Sequence, residues 1–281
     1  MARSSLSSKY KKLKEILGDY GSLLVAYSGG VDSSLLLKVA SDVLGNKVLA
    51  VIARSETYTK EEGRSAINFA KKLKIKYKVI HTREFNDENF ISNPAVRCYF
   101  CKKELFSKLI DIAKKEKIRY VADGSNLDDI SDYRPGAKAK DELGVVSPLK
   151  EAGFTKEDIR ALSRKLKLPT WNRQALACLA SRIPYGTRIT KDILNKIETG
   201  EKYLRSLGIG QVRVRHHGNL ARIEVDKEHL CDLVEGGVAD EIDRKFKGLG
   251  YNYVTIDLKG YRTGSMNEVL KGDRSLYNNR T

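Results

Sequence analysis

The sequence predicts an α/β protein: an N-terminal doubly wound parallel sheet followed by a smaller C-terminal α+β domain. Three observations predict it. β-rich runs alternate with helical stretches through the first half. A glycine-bearing turn joins the first of these runs to the first helix after it. Beyond residue 187 the pattern changes to short, alternating strands that read as a pair.

The elements follow in order. Leu23–Tyr27 is a buried strand and Ser33–Leu44 its helix. Val48–Ala53 is the next strand, with Lys60–Leu73 helical after it, and Tyr77–Thr82 is the third. Lys102–Lys115 is an amphipathic helix with Leu105, Leu109 and Ile112 on one face, and Tyr120–Asp123 is the fourth strand. In such a sheet the ligand lies beyond the carboxyl ends of the strands. The loops at Ser28–Asp32, Arg54–Tyr58 and Gly124–Asp129 are therefore expected to converge.

Thr155-Lys-Glu-Asp158 is a capping box opening a helix that runs to about Leu168, stopped by Pro169. Trp171–Thr187 has weak periodicity and reads as a linker. Asp192–Leu207 is a helix stopped by Gly208. Gln211–Arg215 and Ala221–Val225 pair around a His-Gly-Asn turn, Glu228–Phe246 is helical, and Tyr251–Leu258 is a strand. The expected domains are residues 1–170 and 188–270, joined by the linker 171–187 and followed by a polar tail, 271–281.

Composition bounds the function. The chain has 281 residues, 41% of them hydrophobic and 31% charged, which excludes a disordered or collagen-like chain. No run approaches the ~18 apolar residues of a membrane span. The N-terminal MARSSLSSKYKKLKEIL carries positive charge without an apolar core, so no secretory signal is expected. Four cysteines are too few for a disulfide framework, so a reducing cytoplasm is the expected location. The net charge of +16 favours anionic partners. Much of it lies in lysine-rich helices that read as solvated faces. Without a zinc-finger spacing, RNP motif or arginine-rich tail, no nucleic-acid partner is expected.

The strongest local signal is Ala26-Tyr27-Ser28-Gly29-Gly30-Val31-Asp32-Ser33-Ser34. Glycines let a backbone turn tightly and approach an anion. Free amides and the positive helix end then face phosphates, with the Ser28, Ser33 and Ser34 hydroxyls as further donors. Asp32 would repel phosphate unless it binds Mg²⁺ or orients the loop, which makes it a candidate metal contact. The chain has neither the Walker A nor the GxGxxG pattern.

Cysteine placement carries the second signal. Arg97-Cys98-Tyr99-Phe100-Cys101-Lys102 begins a helix, where the positive helix end and flanking bases favour the thiolate. Cys178 lies in Ala177-Cys178-Leu179-Ala180-Ser181-Arg182. Three thiolates suit an iron–sulfur cluster with one open iron position, a closed zinc site would need a fourth ligand, and a redox pair is a third reading. Cys231 is expected to pack inside its helix as a small hydrophobe, Trp171 in the core, and His216 and His217 in a turn.

SGGVDSS after a first strand resembles the pyrophosphate loop of the N-type ATP pyrophosphatases, the PP-loop superfamily. Over nearly its whole length the chain is similar to the LarE family, the pyridinium-3,5-biscarboxylic acid mononucleotide sulfurtransferases. The stretches that carry the likeness are AYSGGVDSSLL, ARSETYT, RCYFCK, ADGSNLDD, RPG, ACLASRIPYGT, EKYLRSLG, VRVRHHG and ARIEV. The resemblance implies that ATP adenylates a substrate carboxylate and that sulfur then displaces AMP, in nickel-pincer nucleotide cofactor synthesis. Family members with one cysteine at the position of Cys178 sacrifice its sulfur. Those with CxxC as well hold a 4Fe-4S cluster, and Cys98, Cys101 and Cys178 match that type. A tRNA-thiolating enzyme of the same superfamily is the alternative.

By the same likeness, ATP and Mg²⁺ fall to Ala26, Ser28, Gly29, Gly30, Asp32, Ser33 and Ser34, with Ala53 and Arg54 bordering the adenosine. Arg97 is a phosphate contact, and Gly124, Asn126 and Asp128 line the cleft. Cys178, Asp32, Ser181 and Arg182 are the catalytic candidates. Arg213 and Arg215, on one strand face, suit a substrate phosphate or carboxylate, a solvated strand face being the plainer reading. Glu201 and Glu224 match acidic family positions, with surface ion pairing as the plainer reading. A nucleotide substrate, self-association, a sulfide donor and a downstream nickel-insertion protein are the implied partners.

Overall fold

The computed structural model of the protein describes residues 5–131, 135–174 and 177–272. The chain divides into two compact units, Met1–Leu176 and Ala177–Thr281. The expected linker 171–187 is thus shared between them. Most of the expected polar tail, and Arg134 of the RPG stretch, lie outside the described residues.

The first unit runs α1 (Leu6–Tyr20), β1 (Leu23–Ala26), α2 (Val31–Leu44), β2 (Val48–Arg54), α3 (Lys60–Lys72), β3 (Lys76–His81), α4 (Glu88–Ile91), α5 (Arg97–Lys115), β4 (Tyr120–Ala122), α6 (Gly136–Glu142), α7 (Pro148–Glu151) and α8 (Lys156–Lys165). Its four strands are parallel in the order β3-β2-β1-β4. Side chains alternate between the sheet's faces, so Leu23 and Val25 join α1, α2, α3 and α8 in one core, while Leu24 joins Leu105, Phe106 and Leu109 of α5 in another. Both faces are covered, as the expected doubly wound sheet requires.

The strand order reverses between β1 and β4. The chain travels outward from β1 through β2 to β3 and then crosses back. Ligands of open α/β sheets bind at that switch point, here flanked by residues 28–30 after β1 and 123–126 after β4. α1 has no counterpart among the expected elements. Its Leu13 and Leu17, one turn apart, are fully buried against the sheet's first core. The capping box at α8 forms as expected, with the Thr155 hydroxyl accepting from the Asp158 amide.

The second unit contains α9 (Lys191–Ser206), β5 (Val212–His217), β6 (Leu220–Val225), α10 (Val238–Gly248), β7 (Tyr253–Ile256) and α11 (Glu268–Gly272). β5 and β6 are antiparallel, and β7 adds parallel to β6. The Gly218-Asn219 turn between β5 and β6 takes φ +66° at Gly218, as a tight hairpin of this hand demands.

Four expectations fail here and nearby. Glu228–Phe246 is not one helix. Short 3₁₀ turns at Lys227–His229 and Cys231–Leu233 lead to Gly236 and Gly237, both with positive φ, and only then does α10 begin. Two adjacent left-handed glycines cannot continue a helix. Cys231 is consequently exposed rather than packed. His216 and His217 end β5 instead of forming a turn, and His216 is buried against Tyr251. Trp171 is exposed, with the Arg164 guanidinium 5.1 Å over its ring.

Candidate active site

The end of β1 runs directly into the phosphate loop. Gly29 has φ +79°, which L side chains rarely adopt, and a β-carbon there would come 3.1 Å from that of Ala66. Gly30, extended, is the N-cap of α2, and no side chain caps that helix. Its first-turn amides and its positive end are left for an anion. The Ser28 hydroxyl lies 3.0 Å from that of Ser33 and accepts from the Gly30 amide. Ser34 is fully buried, and its hydroxyl pairs with the Tyr27 phenol at 3.2 Å, so it braces the loop from beneath. Burial pushes the Tyr27 phenol up to about 12, and it stays neutral.

Two arginines absent from the sequence expectations hold this loop. Arg173 donates to the Gly29 carbonyl at 2.7 Å and to the Ser65 hydroxyl at 2.5 Å. Arg160 of α8 in turn donates to the carbonyls of Trp171 and Arg173.

Asp32, half-buried in the first turn of α2, is the meeting point. Its Oδ1 accepts from Asn126 Nδ2 at 3.4 Å, and its Oδ2 lies 2.5 Å from Lys156 Nζ. The Asn126 Oδ1 accepts from the Asp128 amide, and Asp128 Oδ2 accepts from the Lys156 amide at 2.7 Å. Asn126 is buried, and Gly124 packs directly on the Ser33 backbone. Thus Asp32, Ser33, Gly124, Asn126 and Asp128 come together at this switch point. Lys156 was legible only as the first residue of a capped helix. A carboxylate oxygen at this place suits Mg²⁺, which takes oxygen ligands.

Ala26 ends β1, and Ala53 with Arg54 ends β2, all half-buried. The Arg54 guanidinium lies along Gly63 of α3. Arg97 is buried at the start of α5 and donates to the Asn93 side-chain oxygen Oδ1 at 2.6 Å. Cys98 is exposed and Cys101 half-buried. Three residues apart in the first two turns of α5, they share one helix face, with no acidic residue in the first turn. Paired thiols on one face fit two positions of a thiolate-held cluster.

Cys178 lies in the second unit, half-buried, just before the 3₁₀ turn Leu179–Arg182. Its carbonyl accepts from the Ser181 amide and from Arg182 Nη1, both at 2.9 Å. Arg182 is itself buried and paired with Glu201 at 2.8 Å. Arg215 donates to the Ser181 carbonyl and pairs with Glu224 at 2.6 Å, and Ser265 donates to Glu224 as well. Glu201 and Glu224 are fully buried, which corrects the surface ion-pair reading, and Arg213 and Arg215 are buried too, which corrects that of a solvated strand face. Burial raises the Glu201 carboxyl, but Arg182, Arg213 and Arg205 outweigh it and hold the group below the usual carboxylate range. Burial, with the nearby Arg182 charge, pushes Arg213 down to about 10.

Among the described residues, no three His, Cys, Asp or Glu side chains form a group that could hold a metal ion. No helix among them is long and apolar enough to cross a membrane.

Residues 6–93 match the family described as NAD synthase. Pyridinium-3,5-bisthiocarboxylic acid mononucleotide synthase of Lactiplantibacillus plantarum is 41% identical over 268 residues, covering 95% of this chain and 96% of its own. The chain belongs to the family of this synthase. It is an ATP-dependent sulfurtransferase with a PP-loop α/β domain. An uncharacterized protein of Synechocystis sp. is 43% identical over 94% of this chain and 99% of its own. Further off, a chain of the glutamine-hydrolyzing GMP synthase of Thermoplasma volcanium is 28% identical over 53% of each protein.

Proposed function

We propose that the enzyme adenylates a carboxylate of pyridinium-3,5-biscarboxylic acid mononucleotide and then replaces AMP by sulfur, giving a thiocarboxylate for nickel-pincer nucleotide synthesis. The observation that carries this is the uncapped N-terminus of α2, framed by Gly29, Asp32 and Gly124, in a chain similar to the Lactiplantibacillus synthase over 95% of its length. A carboxylate oxygen attacks the α-phosphorus of ATP, and pyrophosphate leaves. The loop amides and the Ser28 and Ser33 hydroxyls stabilise the charge that accumulates on it. A sulfur nucleophile then attacks the activated carbonyl carbon, and AMP departs with the carboxylate oxygen.

Asp32 holds Mg²⁺ beside the phosphates in this reading. Cys98, Cys101 and Cys178 would hold a 4Fe-4S cluster, which would supply a labile sulfide; Cys98 and Cys101 share one face of α5, and their joining by Cys178 is part of this proposal. Arg182, on the Cys178 carbonyl, fixes the turn that presents that thiol. Arg213 and Arg215 bind the substrate's phosphate or carboxylate, balanced by Glu201 and Glu224. A single sacrificial sulfur at Cys178 is the competing donor.

The test is to mix the anaerobic enzyme with ATP and the dicarboxylate mononucleotide. Pyrophosphate release that requires the mononucleotide, with a product heavier by the oxygen-to-sulfur exchange, is the expected result. Pyrophosphate release driven by tRNA instead would overturn the substrate assignment.

A further inference from the structure

The loop that should receive a polyphosphate carries a carboxylate in its first turn. Asp32 sits beside the same α2 amides that would bind the anion, so something must compensate it. In the structure that compensation comes from Lys156. Its ammonium lies 2.5 Å from Asp32 Oδ2, on a side chain that remains one-third exposed.

Lys156 is an unusual residue for its position. It is the first residue of α8, where the helix's positive end disfavours a cation. The first turn of α8 also carries Glu157 and Asp158, but Asp158 faces Thr155 and Lys9. The lysine's backbone is fixed by Asp128, on the loop that also supplies Asn126 to Asp32. A cation is thus placed against local helix preference and aimed at one carboxylate. Departures of this kind concentrate at functional sites.

We propose that Lys156 is an exchangeable counter-cation. In the metal-free protein its ammonium occupies the cation position at Asp32. When a divalent metal takes that carboxylate, the lysine is displaced and its flexible stem carries the charge to the phosphates. This rests on the nucleotide-loop reading above and adds to it a residue for which metal and phosphate have opposite requirements. Removing the lysine should help the metal, which loses a competitor, and hurt the anion, which loses a charge-assisted donor.

The test uses Mn²⁺ alone and metal-free inorganic pyrophosphate as probes, with Mn²⁺ followed by its paramagnetic signal and pyrophosphate by calorimetry. Lys156→Met should tighten Mn²⁺ binding about threefold and weaken metal-free pyrophosphate about tenfold or more. Lys156→Arg should keep most of the pyrophosphate affinity. Asp32→Asn should lose the Mn²⁺ site yet bind metal-free pyrophosphate at least as well as the parent, because its lysine is released. If Lys156→Met weakens both probes together, or changes neither, the exchange is wrong and the lysine is only a structural strut. If the unaltered protein binds no pyrophosphate at all, the nucleotide-loop reading falls, and this proposal with it.

Discussion

Gly124 stands so close to Ser33 that a β-carbon on it would lie 2.9 Å from the Ser33 amide nitrogen and 3.2 Å from its α-carbon. The loop after β4 and the first turn of α2 therefore touch backbone to backbone. Gly124→Ala must push the two apart, since neither neighbour is a flexible side-chain tip. Overpacking of this kind costs about 1–3 kcal/mol. The expected outcome is a lower Tm together with ATP affinity reduced about tenfold, read by thermal unfolding and calorimetry.

Arg173 reaches the Gly29 carbonyl and the Ser65 hydroxyl at once. Arg173→Ala leaves the loop's left-handed turn without its brace. KM for ATP should rise about tenfold, the loss of one charged hydrogen bond, with a smaller change in kcat. Arg173→Lys should recover part of it. An unchanged KM in both variants would show that Gly29 holds its geometry unaided.

Asp32→Asn should abolish pyrophosphate release while leaving the fold intact. The Lys156 pair it breaks is partly exposed, and such pairs contribute about 0–1 kcal/mol. Circular dichroism and thermal unfolding should match the parent. Normal turnover in this variant would reduce Asp32 to a helix-terminus charge.

Glu201 gives a pH signature. Its carboxyl is held below the usual range in the folded protein, so the stability it contributes is complete above the unfolded value of about 4.3 and is lost as pH falls through the lower folded value. Glu201→Gln strands Arg182 and should cost about 3–5 kcal/mol at neutral pH. The difference from the parent should shrink below about pH 4. Thermal unfolding of the two proteins across acid pH checks the sign.

The cysteines separate by place. Cys98→Ala, Cys101→Ala or Cys178→Ala should each bleach a brown anaerobic preparation carrying about four irons per chain. Cys231→Ser, in an exposed 3₁₀ turn, should change neither colour nor turnover. Loss of one H₂S from Cys178 after turnover, with no iron bound, would instead establish the sacrificial donor.

The amino-acid order alone determined the parallel sheet, the SGGVDSS turn and the capped α8. Each is read from a short stretch of chain: the continuous apolar runs of β1 and β2, the left-handed Gly29, and the Thr155–Asp158 reciprocal cap. It also marked Gly124 and Asn126 as cleft residues. Tertiary packing alone decided what those elements meet. Lys156 reaches Asp32 across 124 positions and Arg173 reaches Gly29 across 144, and no periodicity or propensity encodes a partner that distant. Tertiary packing also decided the state of Glu201, Arg215 and Glu224, whose plainer reading in one dimension is a surface charge. They are buried because each finds its opposite inside the second unit, and burying a charge is tolerable only when it is paired.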